Sequence, residues 1–331
     1  MKRKSNRIRH KAAVIFSVLI MLLLSSCAEK TEKSQADTGE TVTTADSGET
    51  GAITDTSRKS YPYHEISTTY SSRGVSVPAT VVIPEGVSDY PFVIILHGHG
   101  GSKDENGGLT TIANALAARG IASIRMDFPG CGDSEEPLSN NCLSNNKEDV
   151  LNALAYIRSE YSFTKLGFFG YSMGGRTILE LLAEGKIEPD AVCLLAPAAR
   201  TADMKQFVGG DAAWDQAYAE AEKNGTVQIQ DPFGKKQTLG LKWFQDLLVY
   251  DDVAPKAASV WKGDILVLFG EDDQIIDPEN TSRATAEAFR GEIGDATGDG
   301  HGYGFYSDYL RMLRHVTDMT TEFFAWNLLA D

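Results

Sequence analysis

One serine stands where its hydroxyl could be made nucleophilic. Ser172 is the centre of Gly170-Tyr171-Ser172-Met173-Gly174, which follows the apolar run Lys165 to Phe169 and opens a helical pattern from Met173 to about Gly185. A sharp turn between a strand and a helix exposes such a serine in a strained conformation, and its flanking glycines leave room for the two elements to approach. The pentapeptide alone is weak evidence; its placement between strand and helix makes it specific.

A serine hydroxyl attacks only if a base takes its proton. Of the six histidines, His10, His64, His97 and His99 precede Ser172, while His301 and His315 follow it. His315 falls inside a helical pattern from Tyr306 to Leu329, where an ordinary helix side chain is expected. His301 lies in the loop Gly298-Asp299-Gly300-His301-Gly302-Tyr303-Gly304, which could carry an imidazole to a distant turn. The imidazole in turn needs a carboxylate to orient it, and Asp272 and Asp273, just after the apolar run Ile265 to Phe269, are both candidates.

The oxyanion that forms on attack requires donors already in place. The N–H of Met173 is one candidate, and the N–H of His99, in the turn His97-Gly98-His99-Gly100-Gly101, is the other. No Asp, Glu or Cys at ligand spacing accompanies His97 and His99, so no metal is expected, and this chemistry calls for no cofactor.

The elements needed to position these residues are present. Apolar runs at 92–96, 121–128, 165–169, 191–195 and 265–270 alternate with helical patterns at 109–119, 147–161 and 173–185, which predicts a mostly parallel α/β sheet covered on both faces. Thr80-Val81-Val82-Ile83, after an earlier strand, predicts an antiparallel start. Between residues 198 and 263 the rhythm breaks. This insertion holds a helical stretch from Trp214 to Lys223, the run Val227 to Gln230, a turn at Phe233-Gly234-Lys235 and a second helical stretch from Leu241 to Val249. Falling after the sixth strand, it should lie over the carboxyl edge of the sheet, where α/β folds bind ligands. Trp243 and Phe244, with Trp214 and Phe233, are its candidate pocket aromatics.

Composition sets the surroundings. A formal charge of −15 argues against nucleic acid as a partner, because phosphates require a basic surface. The first 26 residues carry six of the 31 basic residues and none of the 46 acidic ones, followed by an apolar run from Ala12 to Leu24. The run is shorter than the roughly 20 residues that span a bilayer, so it reads as an export signal. Its end, Leu24-Ser25-Ser26-Cys27, resembles the bacterial lipobox, which implies cleavage before Cys27, diacylation of its sulfur and a membrane-anchored extracytoplasmic protein. Residues 27–57 are too polar to offset ordering entropy and are expected to form a tether to a domain at 58–331. Cys131 and Cys142 could pair in an exported protein, whereas Cys193 sits in an apolar run and is expected to be a buried thiol.

From Tyr61 onward the chain resembles bacterial esterases of the α/β-hydrolase fold. The segment His97 to Asn106, Gly170-Tyr171-Ser172-Met173-Gly174-Gly175 and the insertion with Phe233-Gly234 and Trp243-Phe244 are similar to the cinnamoyl and feruloyl esterase group. The resemblance implies a chain order of nucleophile, acid, base, which selects His301. It also implies a G-x-x-D-x-x-[VI] pattern, which selects Asp273 over Asp272. The implied activity is ester hydrolysis through an acyl-enzyme, on feruloyl, cinnamoyl or acetyl esters, whether small molecules or attached to carbohydrate. A serine peptidase and a lipid-directed esterase are the alternatives on the same fold. The chain departs from the group at His99, where an aromatic residue is usual, and at Asp277, where Pro is usual.

Overall fold

The computed structural model describes residues 59–329; the leader, Cys27 and the whole of the expected tether lie outside them. The described chain opens with the antiparallel pair β1 (Tyr63–Ser72) and β2 (Val75–Pro84). There follow β3 (Phe92–Leu96), α1 (Gly108–Ala118), β4 (Ala122–Met126), α2 (Leu143–Glu160), β5 (Leu166–Tyr171), α3 (Met173–Ala183) and β6 (Ala191–Leu195). The insertion contains α4 (Thr201–Val208), α5 (Asp211–Asn224), β7 (Thr226–Gln230), β8 (Lys236–Gly240), α6 (Leu241–Leu247) and α7 (Ala254–Val260). The chain then completes the sheet with β9 (Asp264–Phe269), α8 (Ala284–Phe289), β10 (Glu292–Asp295) and α9 (Leu310–Leu329).

Eight strands form one sheet in the order β1-β2-β4-β3-β5-β6-β9-β10, parallel from β4 to β10. Successive residues of β3 enter opposite cores: Val93 and Ile95 pack with α1 and α9, while Phe92, Ile94 and Leu96 pack with α2, α3 and α7. Because both faces are covered, such strands must be apolar at every position rather than at alternate ones. The chain leaves β3 in one direction to β4 and returns on the other side to β5, and this reversal opens a crevice at the carboxyl edge. Leu96 stands opposite Gly170, so the His97–Gly101 turn and Ser172 emerge side by side.

Several expected boundaries move. The last helix begins at Leu310 rather than Tyr306, since the preceding residues are tied down by side-chain bonds: Ser307 donates to Asp299 Oδ2 and accepts the N–H of Tyr309. Val227 to Gln230 is half of a hairpin with β8, whose partner strand, Lys-Gln-Thr-Leu-Gly, has little apolar signal. Cys131, Cys142 and Cys193 are all free buried thiols, so the possible Cys131–Cys142 bridge is not present. Burial pushes the Cys131 thiol up to about 12.

Candidate active site

Ser172 sits at φ 51°, ψ −114°, a conformation that costs on the order of 1–3 kcal/mol for a non-glycine residue. The surrounding packing enforces it. A Cβ on Gly170 would lie 2.7 Å from the backbone of Gly175, and one on Gly174 would lie 2.5 Å from the carbonyl oxygen of Leu96. Both glycines are therefore steric requirements of the turn.

From this turn a continuous chain of hydrogen bonds runs to the loop after β9. Ser172 Oγ is 3.1 Å from His301 Nε2, and His301 Nδ1 is 2.7 Å from Asp273 Oδ2. The carboxylate can only accept, so Nδ1 carries the proton and Nε2 is left to receive the serine's. Asp273 Oδ1 accepts the N–H groups of Ile275 and Ile276, and Oδ2 also accepts the Tyr303 hydroxyl at 2.7 Å. Burial would raise the Asp273 pKa, but the bond and charge of His301, with the donors from Ile276 and Tyr303, hold it below the ordinary carboxylate value. The acid is thus kept ionised in a nearly dry place.

Asp272 and Asp273 divide two tasks. Asp272 accepts the N–H groups of Gly298 and Gly300, each at 3.0 Å, so it grips the histidine loop, while the imidazole is held by Asp273. Tyr171 adds a second grip, its hydroxyl donating to the His301 carbonyl at 2.5 Å. These holding contacts were not foreseen, because nothing local in Asp272, Tyr171 or Tyr303 marks a partner about 26 to 130 residues away. The Gly-x-Gly setting of Tyr303, which has φ 50°, is the one available signal.

The turn after β3 closes the other side. A Cβ on Gly98 would lie 3.3 Å from Ser172 Cβ, so this turn packs directly against Ser172. His97 is fully buried; its Nε2 accepts the N–H of Phe128 and its Nδ1 donates to the Gly98 carbonyl. Both ring nitrogens are occupied in bracing this turn. His99 Nε2 is bonded to Gln237 Oε1 of β8 at 2.8 Å. Among the described residues no group of three or more His, Cys, Asp or Glu is arranged to hold a metal.

The insertion spans the carboxyl edge between these two loops. At one end Gln237 meets His99; at the other, Asp203 of α4 accepts the N–H of Asp277 and the hydroxyl of Thr281. The departure from Pro at 277 thereby has a use, since Pro would lack that N–H. The Asp277 side chain caps the turn that follows, accepting from Glu279 and Asn280. The pocket expected from the insertion's aromatics needs correction. Trp214, Trp243 and Phe244 are buried, and Phe233 alone is exposed, at the hairpin tip. Phe244 is fully enclosed by Trp214, Tyr218 and Trp243 and serves as the insertion's own core. Trp243 differs in also facing His99, with ring centroids 5.7 Å apart.

Comparison with known proteins agrees with this architecture. Residues 91–234 match the family of the alpha/beta hydrolase fold. An uncharacterized 31.7 kDa protein of Escherichia coli, from the traX-finO intergenic region, is 24% identical over 176 residues, covering 52% of this chain and 57% of that protein. Esterase EstD of Thermotoga maritima is 26% identical over 129 residues, covering 38% of this chain and 31% of the esterase. The chain therefore spans little more than half the length of one curated relative and a third of the other. Est1E of Butyrivibrio proteoclasticus, solved with ferulic acid bound, superposes with a TM-score of 0.66 over 78% of this chain and 98% of its own, at 20% identity. The chain has the α/β-hydrolase fold: a mostly parallel sheet with helices on both faces.

Proposed function

We propose that this chain is a serine carboxylic-ester hydrolase working through an acyl-enzyme, with feruloyl, cinnamoyl or acetyl esters as its substrates. The observation that carries this reading is the unbroken bond chain from Ser172 Oγ through His301 to Asp273. In the first step Ser172 Oγ bonds to the ester carbon as its proton passes to His301 Nε2, and the N–H groups of Met173 and His99 receive the oxyanion. Collapse breaks the ester C–O bond, and the alcohol leaves with the proton from His301. Water then attacks the acyl group, gives its proton to His301 and releases the acid, returning the proton to Ser172.

The similarity to EstD and Est1E, the first an esterase by name and the second solved with ferulic acid, supports an ester and an aromatic acid as the first substrates to try. Incubation of the purified chain with para-nitrophenyl acetate should release para-nitrophenol and leave an acetyl group on Ser172, seen by mass spectrometry of the trapped protein. Acetylation elsewhere, or turnover without a Ser172 adduct, would remove the mechanism. A panel of feruloyl, acetyl, short-chain lipid and aminoacyl esters then separates the substrate classes. We further propose that the mature chain is held at a membrane by a diacylated Cys27. Replacement of Cys27 by Ser should move the protein from the membrane fraction to the soluble one in a bacterial host.

A further inference from the structure

The insertion's hairpin fixes the proton on the His99 imidazole. Asp231, just after β7, uses Oδ1 to accept the N–H groups of Phe233 and Lys235 and Oδ2 to accept Gln237 Nε2 at 2.6 Å. A carboxylate only accepts, so Gln237 turns its nitrogen to Asp231 and its oxygen to His99. That oxygen also only accepts, so His99 holds its proton on Nε2 and presents Nδ1 as a bare lone pair. Burial pushes the His99 pKa down to about 4, which keeps the ring neutral at ordinary pH.

His99 Nδ1 is buried without a partner, and so is Trp243 Nε1. One is an acceptor and the other a donor, on rings whose centroids are 5.7 Å apart. Buried polar groups left unpaired are destabilising unless a water or a ligand completes them. A hydroxyl group can complete both, donating to the imidazole and accepting from the indole. Gly98 packs against Ser172, and His99 is the next residue of that turn. Resting on the ester-hydrolase reading above, we propose that His99 Nδ1 and Trp243 Nε1–H form a hydroxyl-binding pair, selecting esters with a free hydroxyl close to the scissile carbonyl. The Asp231–Gln237 relay is what holds the imidazole in the accepting tautomer.

The hydroxyl could belong to the acyl chain or to the alcohol, and matched esters tell these apart. On the full chain, kcat/KM would be compared for ethyl 3-hydroxybutyrate against ethyl butyrate, and for 2-hydroxyethyl butyrate against propyl butyrate. A preference of about 10- to 100-fold for the hydroxylated member is expected in one arm, which identifies the source. In His99→Phe, and separately in Trp243→Phe, that ratio should fall towards one. Because the ratio is internal to each variant, a uniform loss of activity or stability does not imitate the effect. Ratios near one in both arms with the unaltered chain, or a preference that survives both substitutions, would overturn the pair while leaving the ester-hydrolase reading standing. Hydrolysis of none of the four esters would overturn the pair, and absence of para-nitrophenyl acetate turnover as well would overturn the ester-hydrolase reading too.

Discussion

In the sheet, β3, β5 and β6 bury every residue, whereas in the insertion β7 buries only alternate ones and its hairpin ends in Phe233 at 71% exposure. The site's floor is therefore positioned largely by backbone pairing within a dry core. The insertion is held differently, by a small aromatic core and by a few polar side chains. Chief among these is Arg176, fully buried on α3 one turn past Ser172. Its guanidinium pairs with Glu180 and donates to the carbonyls of Ala199, at the insertion's entry, and Tyr250, near its exit. A single side chain from the helix that follows Ser172 thus grips both stems. The difference separates two sets of tests: changes to the rigid floor bear on the proposed chemistry, and changes to the cover, attached at a few points, bear on the proposed substrate choice.

The sharpest break in that comparison comes from the floor. Ser172→Ala should cut kcat/KM on an ester substrate by about 10³- to 10⁶-fold with no change in melting temperature, since the hydroxyl adds little to packing. A turnover loss accompanied by lower stability would mean that the floor is less independent than its burial implies. Next, Arg176→Met should destabilise the chain by about 3–5 kcal/mol, the usual cost of breaking a buried ion pair. Limited proteolysis should then cut first within residues 198–263; cleavage elsewhere in the domain would show that Arg176 does not hold the insertion. Phe244→Ala should cost a comparable 3–5 kcal/mol and lower feruloyl and acetyl turnover equally, because this ring faces the insertion's core. A selective loss of feruloyl turnover would return Phe244 to the pocket.

Smaller effects test the supports of the floor. Tyr303→Phe removes one of the donors to Asp273 and should lower kcat about 10-fold with KM unchanged, while Asp272→Asn, which loosens the histidine loop, should act similarly in size. A change confined to KM would point to substrate contact instead. The last test is a pH dependence of stability. Burial pushes the Glu105 carboxyl, beside the His99 turn, up to about 8 from its ordinary 4.5, with Ser102 N–H and the Tyr306 hydroxyl as its donors. The folded form binds this proton more tightly, so the associated stability is complete below pH 4.5 and is lost as pH rises towards 8. Glu105→Gln should flatten the fall in melting temperature between pH 5 and 8; an unaltered slope would show that Glu105 is not its source.

Much of this was readable from local pattern. The turn at Ser172 was visible because its constraint is local: a strand, two glycines that exclude a Cβ and a helix must be contiguous in the chain. The parallel sheet was visible for the same reason, since burial on both faces demands unbroken apolar runs. The histidine loop could be singled out by its glycines, yet the choice between Asp272 and Asp273 required a family pattern, as two neighbouring carboxylates differ only in where the fold points them.

What the tertiary structure alone decided concerns pairings between residues far apart in the chain. It turned Trp214, Trp243 and Phe244 inward, because a subdomain this small needs its large rings to complete a core. It used Asp277 to receive α4 of the insertion, and set Tyr171, Asp272 and Tyr303 around His301. It also joined His99 to Gln237 across 138 positions of sequence. Hydrogen bonds at such separations leave no periodicity behind, so sequence supplied the reactive residue types and the fold alone determined which of their atoms are paired and which remain free.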